Sequence, residues 1–323
     1  MALTTMKDVA KAAGVSVITV SRVINSPELV KEKTRARVEK AIEELGFLPN
    51  HAARALAQNN TNSIYLYIPQ ELTISDVFVM HLVAGVSEEL SDAEYFFQIK
   101  RDLNFTRRCD GVIVMGLETN EDRIINEKIK VPYVIFGQTD LNVDTVDINN
   151  YKGAYMMTDY LISMGHKRIG FLKINEDKRF TFDRFDGYKK ALEHHNIQYD
   201  ESLVREVHNR ESDGYEKCFQ LIQEQKPTAI FCSSDLLAVG AIRAAKELNV
   251  KIPEEISIAG FDGLLFDLIG EIPLTTIRQP VFEAGKKLAN LLLKRIKNHN
   301  EATENRLITP ELIIRNSVDK CSE

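Results

Sequence analysis

Apolar residues recur at helical spacing over roughly the first fifty positions, and beyond residue 61 they gather into short runs separated by amphipathic stretches. Val9, Ala12 and Ala13 form a stripe of the kind that one face of a helix presents. Thr5 precedes that stripe with Asp8 three positions on, close to a capping box. Gly14 can take the positive φ needed to leave this helix, and Ser16 can cap a second, Val17 to Ile24, closed by the turn-forming Asn25-Ser26-Pro27. A third helix runs from about Glu32 to Leu45, with Val38, Ala41, Ile42 and Leu45 on one face and Gly46 as its stop. Two short helices about a glycine turn, with a third completing a miniature core, is the helix-turn-helix plan.

The second helix is so short that Val20 and Val23 suffice for the core, which turns Val17, Ile18, Ser21 and Arg22 outward. In a major groove, apolar side chains at the start of such a helix touch thymine methyls, and an arginine one turn on grips guanine O6 and N7. Val17, Ile18 and Arg22 are therefore expected to read base edges. Thr5, Ser16, Thr19, Ser21, Asn25 and Thr34 are candidates for phosphate contacts that set register.

Beyond a polar linker, Gln58 to Asn62, strand-like runs at Ile64 to Ile68, Gly111 to Met115, Tyr133 to Phe136, Ile169 to Leu172, Ala229 to Cys232 and Ser257 to Gly260 alternate with helices. The helices read as Val79 to Leu90, Gly153 to Met164, Asp183 to His194, Leu237 to Leu248 and Phe282 to Lys297. This alternation predicts an α/β body of doubly wound parallel sheets, and so many units exceed one compact sheet. Two lobes follow, with a ligand crevice at the carboxyl ends of their strands.

Composition alters this picture in one respect. The chain of 323 residues has a net charge of -6, which by itself disfavours a nucleic-acid partner. Residues 1–60 carry nine Lys/Arg and six Asp/Glu, so the head is +3 and the remainder -9. Cys109, Cys218, Cys232 and Cys321 lack the spacing of a disulfide framework or a zinc site and read as reduced cytosolic thiols. The histidines, including His194-His195 and His299, fall in polar surroundings where solvated side chains are expected. No GxSxG, dinucleotide GxGxxG or HExxH is present, so no enzyme, no cofactor and no resident metal are expected. With no membrane-spanning run or secretion signal, a cytoplasmic location is expected.

The segment MKDVAKAAGVSVITVSRVINSPELVKEKTRARVEKAIEELGFLPNHAARALA resembles the head of the LacI/GalR family of transcriptional regulators, in its VSxxTVSRVxN core, its Thr34-Arg35-Arg37-Val38 third helix and its GFxPNxxARxL tail. The body resembles the family's periplasmic-binding-protein-like core through GHKRIGF, DRFDGY, SSDLLAVGA, PEEISIAGFDG and PLTTIRQP. The likeness is weakest between Ser91 and Cys109, a segment shorter than the family usually shows.

The resemblance implies a helix-turn-helix domain at 1–49, a hinge helix and linker at 50–60, and an effector-binding and dimerisation core at 61–323. Lobe one takes 61–150 and 279–308, and lobe two takes 151–278 and 309–320. Asn50 to Ala57 is too short and alanine-rich to fold alone in water. In the family such a hinge folds in the minor groove, where Asn50 and Ala53 contact DNA and Leu56 wedges between base steps. Arg184, expected at a helix start, together with Asp262 and Ser234, is implied to hold an effector, with Gln279 at the crossover a further candidate.

Some residues keep two readings. Arg184 could pair with Asp183 or Asp186 on the surface, Phe136 and Phe261 could be pocket wall or core, and Asp235 reads as a cap for the following helix. A ring of hydroxyl-pairing groups favours a sugar effector over a nucleobase co-repressor on the same scaffold. A solute-binding protein without DNA function is the remaining alternative. Two heads on a pseudo-palindromic operator require a homodimer, and the chain's end soon after Leu312 to Arg315 leaves no room for a tetramerising heptad helix.

Overall fold

The structure, a computed structural model, describes residues 4–25, 27–47, 61–73, 76–105, 108–119, 121–264 and 272–321. The chain divides into two compact units, Met1–Thr61 and Asn62–Glu323. Among the described residues no helix is long and apolar enough to cross a membrane.

The first unit contains α1 (Met6–Ala13), α2 (Val17–Asn25) and α3 (Glu32–Leu45). The Asp8 carboxylate accepts from the backbone N–H and the hydroxyl of Thr5, at 2.9 and 2.6 Å, which opens α1 and holds Asp8 below the usual carboxylate range. Gly14 ends α1 at φ 63° and Gly46 ends α3 at φ 57°, backbone that a side chain rarely tolerates. Ser16 Oγ accepts from Thr19 N at 3.1 Å and starts α2. The core joins Val9, Ala10, Ala13, Val20, Val23, Val38, Ala41 and Phe47. Two positions depart from the sequence reading. Ala10 rather than Ala12 is buried, because α1 begins at Met6 and turns a slightly different face inward. Leu45 is 38% exposed at the last turn of α3, where Phe47 closes the core instead.

In the second unit the chain runs β1 (Ser63–Tyr67), α4 (Val77–Asp92), β2 (Phe96–Lys100), β3 (Gly111–Met115), α5 (Asp122–Lys128), β4 (Tyr133–Phe136) and β5 (Asp144–Ile148). It crosses over to α6 (Asn150–Ser163), β6 (Ile169–Ile174), α7 (Arg179–His194), β7 (Val204–Val207), α8 (Glu211–Gln225), β8 (Ala229–Cys232), α9 (Asp235–Glu247), β9 (Ser257–Asp262) and β10 (Thr275–Arg278). It returns through α10 (Val281–Lys297) and β11 (Asn305–Ile308), and ends with β12 (Glu311–Ile313).

Among the described residues these strands form two six-stranded sheets, ordered β11-β5-β4-β3-β1-β2 and β12-β10-β9-β8-β6-β7. All pairings are parallel except that of β12 with β10. The repeated 2-1-3-4-5 order is doubly wound, and it places ligand at the carboxyl ends of the strands where that order reverses. Central strands such as β3 are buried at every position because helices cover both faces, which is why they read as unbroken apolar runs.

Strands β2, β5, β7, β10 and β11 lie outside the runs picked out from the sequence. They sit at or near sheet edges or carry charged residues, and so lack an apolar run. Between β2 and β3 the described residues contain no helix, and an irregular segment lays Leu103 and Phe105 over Tyr65 of β1.

Three chain passages join the lobes, at Asn149, at Gln279-Pro280 and at 309–310, and Asn149 N donates to Ile308 O at 2.8 Å. Helices α6 and α7 lie in close contact. A Cβ on Gly187 would sit 2.3 Å from Tyr151 O, so only glycine permits that approach. The four cysteines are unpaired, and burial pushes the Cys109 thiol up to about 11 and the Cys218 thiol up to about 12.

Candidate effector cleft and nucleic-acid surface

The carboxyl ends of the central strands of both sheets face a cleft of about 200 Å³ between the lobes. That is below the ~300–1,000 Å³ of drug-sized sites. Arg184 anchors the lobe-two side and is 5% exposed. Its Nε donates to Asn150 Oδ1 at 2.9 Å, and its Nη1 donates to Ser233 O at 2.5 Å and to Asp262 Oδ1 at 3.5 Å. The guanidinium carbon stacks 3.8 Å from the centroid of the Phe261 ring and 4.8 Å from that of Phe180. Arg184 lies in the second turn of α7, which starts at Arg179, rather than at a helix start. Neither Asp183 nor Asp186 pairs with it: Asp183 accepts from Gln138, and Asp186 pairs with Lys189.

Asp262 ends β9 with φ 130°, a conformation that persists only where its surroundings over-determine it. Gln279 supplies that constraint twice, donating from N to Asp262 O at 2.9 Å and from Nε2 to Asp262 Oδ1 at 2.8 Å. Burial raises the Asp262 carboxyl to about 6 despite the nearby Arg184, and Asp76 from lobe one pushes the same way.

Asp147, at the carboxyl end of β5 and 7% exposed, is raised to about 7 chiefly by burial. The Ile148 N–H and Gln138 oppose that rise. Asp183 is raised by burial and then by Asp186.

The cleft is latched at its mouth. Thr119 of lobe one donates from N to Asp177 O at 3.2 Å and from its hydroxyl to the Asp177 carboxylate. Gln138 Nε2 donates to Asp183 Oδ2 at 2.9 Å, and Arg179 Nη2 meets Asp140 Oδ2 at 2.8 Å. These bonds join the lobes directly.

Ser234, at the cleft, takes the capping role expected of Asp235. Ser234 is the N-cap of α9, its Oγ accepting from Leu237 N at 3.2 Å and donating to Asn209 Oδ1 at 2.6 Å. Asp235 accepts from Thr276 Oγ1 at 2.5 Å and Gly263 N at 2.7 Å, tying the end of β9 to β10. The serine is the shorter side chain and can fold back onto the helix start, whereas the aspartate reaches across the sheet. Phe136 lines the cleft, and Phe261 is core beneath Arg184.

On the first unit, Val17 is 40% and Ile18 66% exposed, and Arg22 is exposed without a hydrogen-bond or ion-pair partner among the described residues. Positions 17, 18, 21, 22 and 25 fall on one side of α2, opposite Val20 and Val23. Ser16 and Thr19 share a 2.8 Å hydroxyl contact at the start of α2, Thr5 stands before α1, and Thr34 is half-buried in the first turn of α3. Short donors thus cluster at helix starts, where free N–H groups and the helix dipole favour phosphate. Asn50, Ala53 and Leu56, and the side chain of Asn25, lie outside the described residues.

Residues 5–50 match the family model of bacterial regulatory proteins of the lacI family, and residues 158–318 match that of the periplasmic binding protein-like domain. The uncharacterized HTH-type transcriptional regulator YvdE of Bacillus subtilis is 37% identical over 98% of this chain and 99% of its own length. The chain belongs to the LacI family. The HTH-type transcriptional repressor CytR of Escherichia coli is 34% identical over 97% of this chain and 96% of CytR. The transcriptional regulator CelR in complex with cellobiose superposes with a TM-score of 0.74 at 28% identity, over 97% of this chain and 99% of CelR. LacI-family members are DNA-binding transcriptional regulators rather than enzymes, and this chain is a regulator of that family.

The structure brings Arg184, Asp262 and Gln279 into one network and places the capped Ser234 at its edge. Sequence reasoning missed Asn150, Asp147, Asp76 and the latch pair Gln138–Asp183. The only signal for the first two was their place at, or just after, the end of a strand that Asp144 and Asp147 themselves disguised. The His194-His195 pair is not simply solvated. His194 Nδ1 bonds the Tyr155 hydroxyl, and His195 Nε2 lies 2.6 Å from Asp159 Oδ1.

Proposed function

We propose that this regulator is a repressor that binds a pseudo-palindromic operator as a homodimer and that a small sugar, held between the lobes by Arg184, Asp262 and Gln279, sets its operator affinity. The observation that carries this reading is the polarity of the cleft. Six acidic residues, Asp76, Asp122, Asp147, Asp262, Glu118 and Glu176, line it with three basic ones, Lys178, Arg179 and Arg184. A net acidic cleft repels anionic ligands, and carboxylates beside a guanidinium pair well with neutral hydroxyls.

A nucleobase would need parallel aromatic faces with a slot between them. Phe78 and Phe136 instead touch each other, with centroids 5.6 Å apart and planes tilted by 56°. CelR, with cellobiose bound, is a neighbour whose ligand belongs to the same chemical class. Ser234 acts by positioning Asn209 at the cleft wall.

In the head, Val17, Ile18 and Arg22 read the major groove, while Thr5, Ser16, Thr19, Ser21, Asn25 and Thr34 hold phosphates. Asn50, Ala53 and Leu56 of a hinge at 50–60 engage the minor groove. The two-fold contact uses the first lobe, whose edge strand β2 presents Phe96 at 63% exposure, while Met80 of α4 is 54% exposed. Such edges invite pairing. The protein acts in the cytoplasm, where its operator is.

Calorimetry with panels of neutral sugars and of nucleobases tests the effector reading. Saturable sugar binding that Asp262→Asn abolishes supports it. Nucleobase binding without sugar binding refutes it in favour of a nucleobase co-repressor.

A further inference from the structure

We propose that Asp159, His194 and His195 form a binding site for a divalent cation of the Zn²⁺ class at the seam of α6 and α7, separate from the effector cleft. Each residue offers one ligand atom, and the three atoms lie within 4.8 Å of one another. His195 Nε2 and Asp159 Oδ1 are 2.6 Å apart, and the two imidazole rings are 5.2 Å apart between centroids.

Zinc bound tetrahedrally at ~2.0–2.2 Å sets its ligand atoms about 3.4 Å apart, wider than the 2.6 Å between His195 Nε2 and Asp159 Oδ1 and inside the 4.8 Å that bounds the set. The side chains of Asp159 and His195 are 45% and 36% exposed, so small rotations bring the set to that spacing. Two imidazoles and a carboxylate are a ligand set that such cations take, with the remaining positions left to water.

The backbone prepares the arrangement. Neighbouring residues inside a helix point about 100° apart, but His194 is the last residue of α7 and His195 caps it at φ −91°, ψ 10°, where the chain leaves the helix. Tyr155 holds Nδ1 of His194 through its hydroxyl, the kind of outer contact that fixes a metal-binding imidazole's ring and tautomer. The close approach of α6 and α7 at Gly187 keeps Asp159 opposite the two histidines.

Of the nearby cations, Lys190 is paired with Glu193 at 2.9 Å, and that glutamate adds negative charge to the same turn. Lys152 lies one turn before Tyr155 on α6. The groove beside the cluster is lined by Lys152, Tyr155, Lys190, Glu193 and His194.

A bound cation clamps the end of α7 to α6. Arg184 lies ten residues earlier on α7, about 15 Å away at 1.5 Å per residue, and it bonds Asn150 at the start of α6. The clamp therefore stiffens the same helix pair that carries the cleft's guanidinium.

The test uses the full-length, untagged chain after chelator treatment, titrated with Co²⁺ and followed by visible absorption, then displaced with Zn²⁺. One saturable site per chain is expected, with an intense tetrahedral Co²⁺ spectrum and a rise in Tm on adding Zn²⁺. Asp159→Asn and His195→Ala should each weaken binding at least about tenfold and erase the Tm rise. His299→Gln should leave both unchanged, and each variant's Tm rise is read against its own metal-free Tm. Absence of a saturable spectrum, or parent-like affinity in the Asp159 and His195 variants, overturns the proposal and leaves an ordinary His–Asp hydrogen bond.

Discussion

Replacing Asp147 by asparagine should change how stability depends on pH while leaving the fold intact. The amide is isosteric and keeps an oxygen to accept from Ile148 N, which Asp147 bonds at 2.8 Å. The carboxyl ionises near 3.8 in the unfolded chain and at about 7 in the native one, because burial opposes its charge. Its native pKa is raised, so its contribution to stability is full below pH 3.8 and is lost as pH climbs through about 7. Across pH 6 to 8 the loss amounts to about 1.4 kcal/mol on the linkage relation. Asp262, raised to about 6, acts mostly below that window, and the buried His166 titrates alike in both proteins, so the difference between the two profiles isolates Asp147. Urea unfolding of ligand-free protein at pH 6, 7 and 8 measures it. The variant should be the more stable at pH 8, and its advantage should shrink by about 1.4 kcal/mol on going to pH 6. Parallel profiles would mean that Asp147 is not held neutral by its surroundings, and the electrostatic picture of the cleft would fail.

Other substitutions separate positioning from recognition. Arg184→Met leaves Asn150 Oδ1 and Ser233 O without their donor and Asp262 with Gln279 alone and no counter-charge, so it should cost ~3–5 kcal/mol in chemical denaturation and abolish effector binding by calorimetry. Gly187→Ala drives a Cβ to 2.3 Å from Tyr151 O, and the forced separation of α6 and α7 should cost ~1–3 kcal/mol, read as a lower urea midpoint. Arg22→Ala should weaken operator binding by ~1–3 kcal/mol and relax one base preference, whereas a uniform loss on every DNA sequence would make it a phosphate contact. Leu56→Ala should reduce DNA bending in a gel-phasing assay more than it reduces non-specific binding.

The head was the most legible part of the chain, since short-range signals set its helices. Thr5-Asp8, Gly14, Ser16 and Gly46 each act within four residues, and each occupies the role its chemistry suggests. Buried central strands were equally plain, because a sheet covered on both faces demands unbroken apolar runs. Edge elements were not, since Val204–Val207 and Asn305–Ile308 carry charges that a half-covered strand tolerates. Arg184, Asp262 and Gln279 were identifiable as site candidates, yet Asn150, which holds Arg184, and Asp76, whose charge faces Asp262, are hidden by sequence distance. Which of Ser234 and Asp235 caps α9 turned on the reach of two adjacent side chains, a matter of ångströms that spacing cannot express.

The claim that a cleft ligand controls DNA binding is tested most directly by operator affinity. An operator selected from random DNA would be titrated by fluorescence anisotropy at fixed salt, with and without each sugar that binds the cleft. The account predicts that a saturating sugar changes operator affinity by about 5–150-fold, the range of a 1–3 kcal/mol coupling, and that Asp262→Asn removes the change. Operator affinity that stays constant under every ligand bound in the cleft would contradict it.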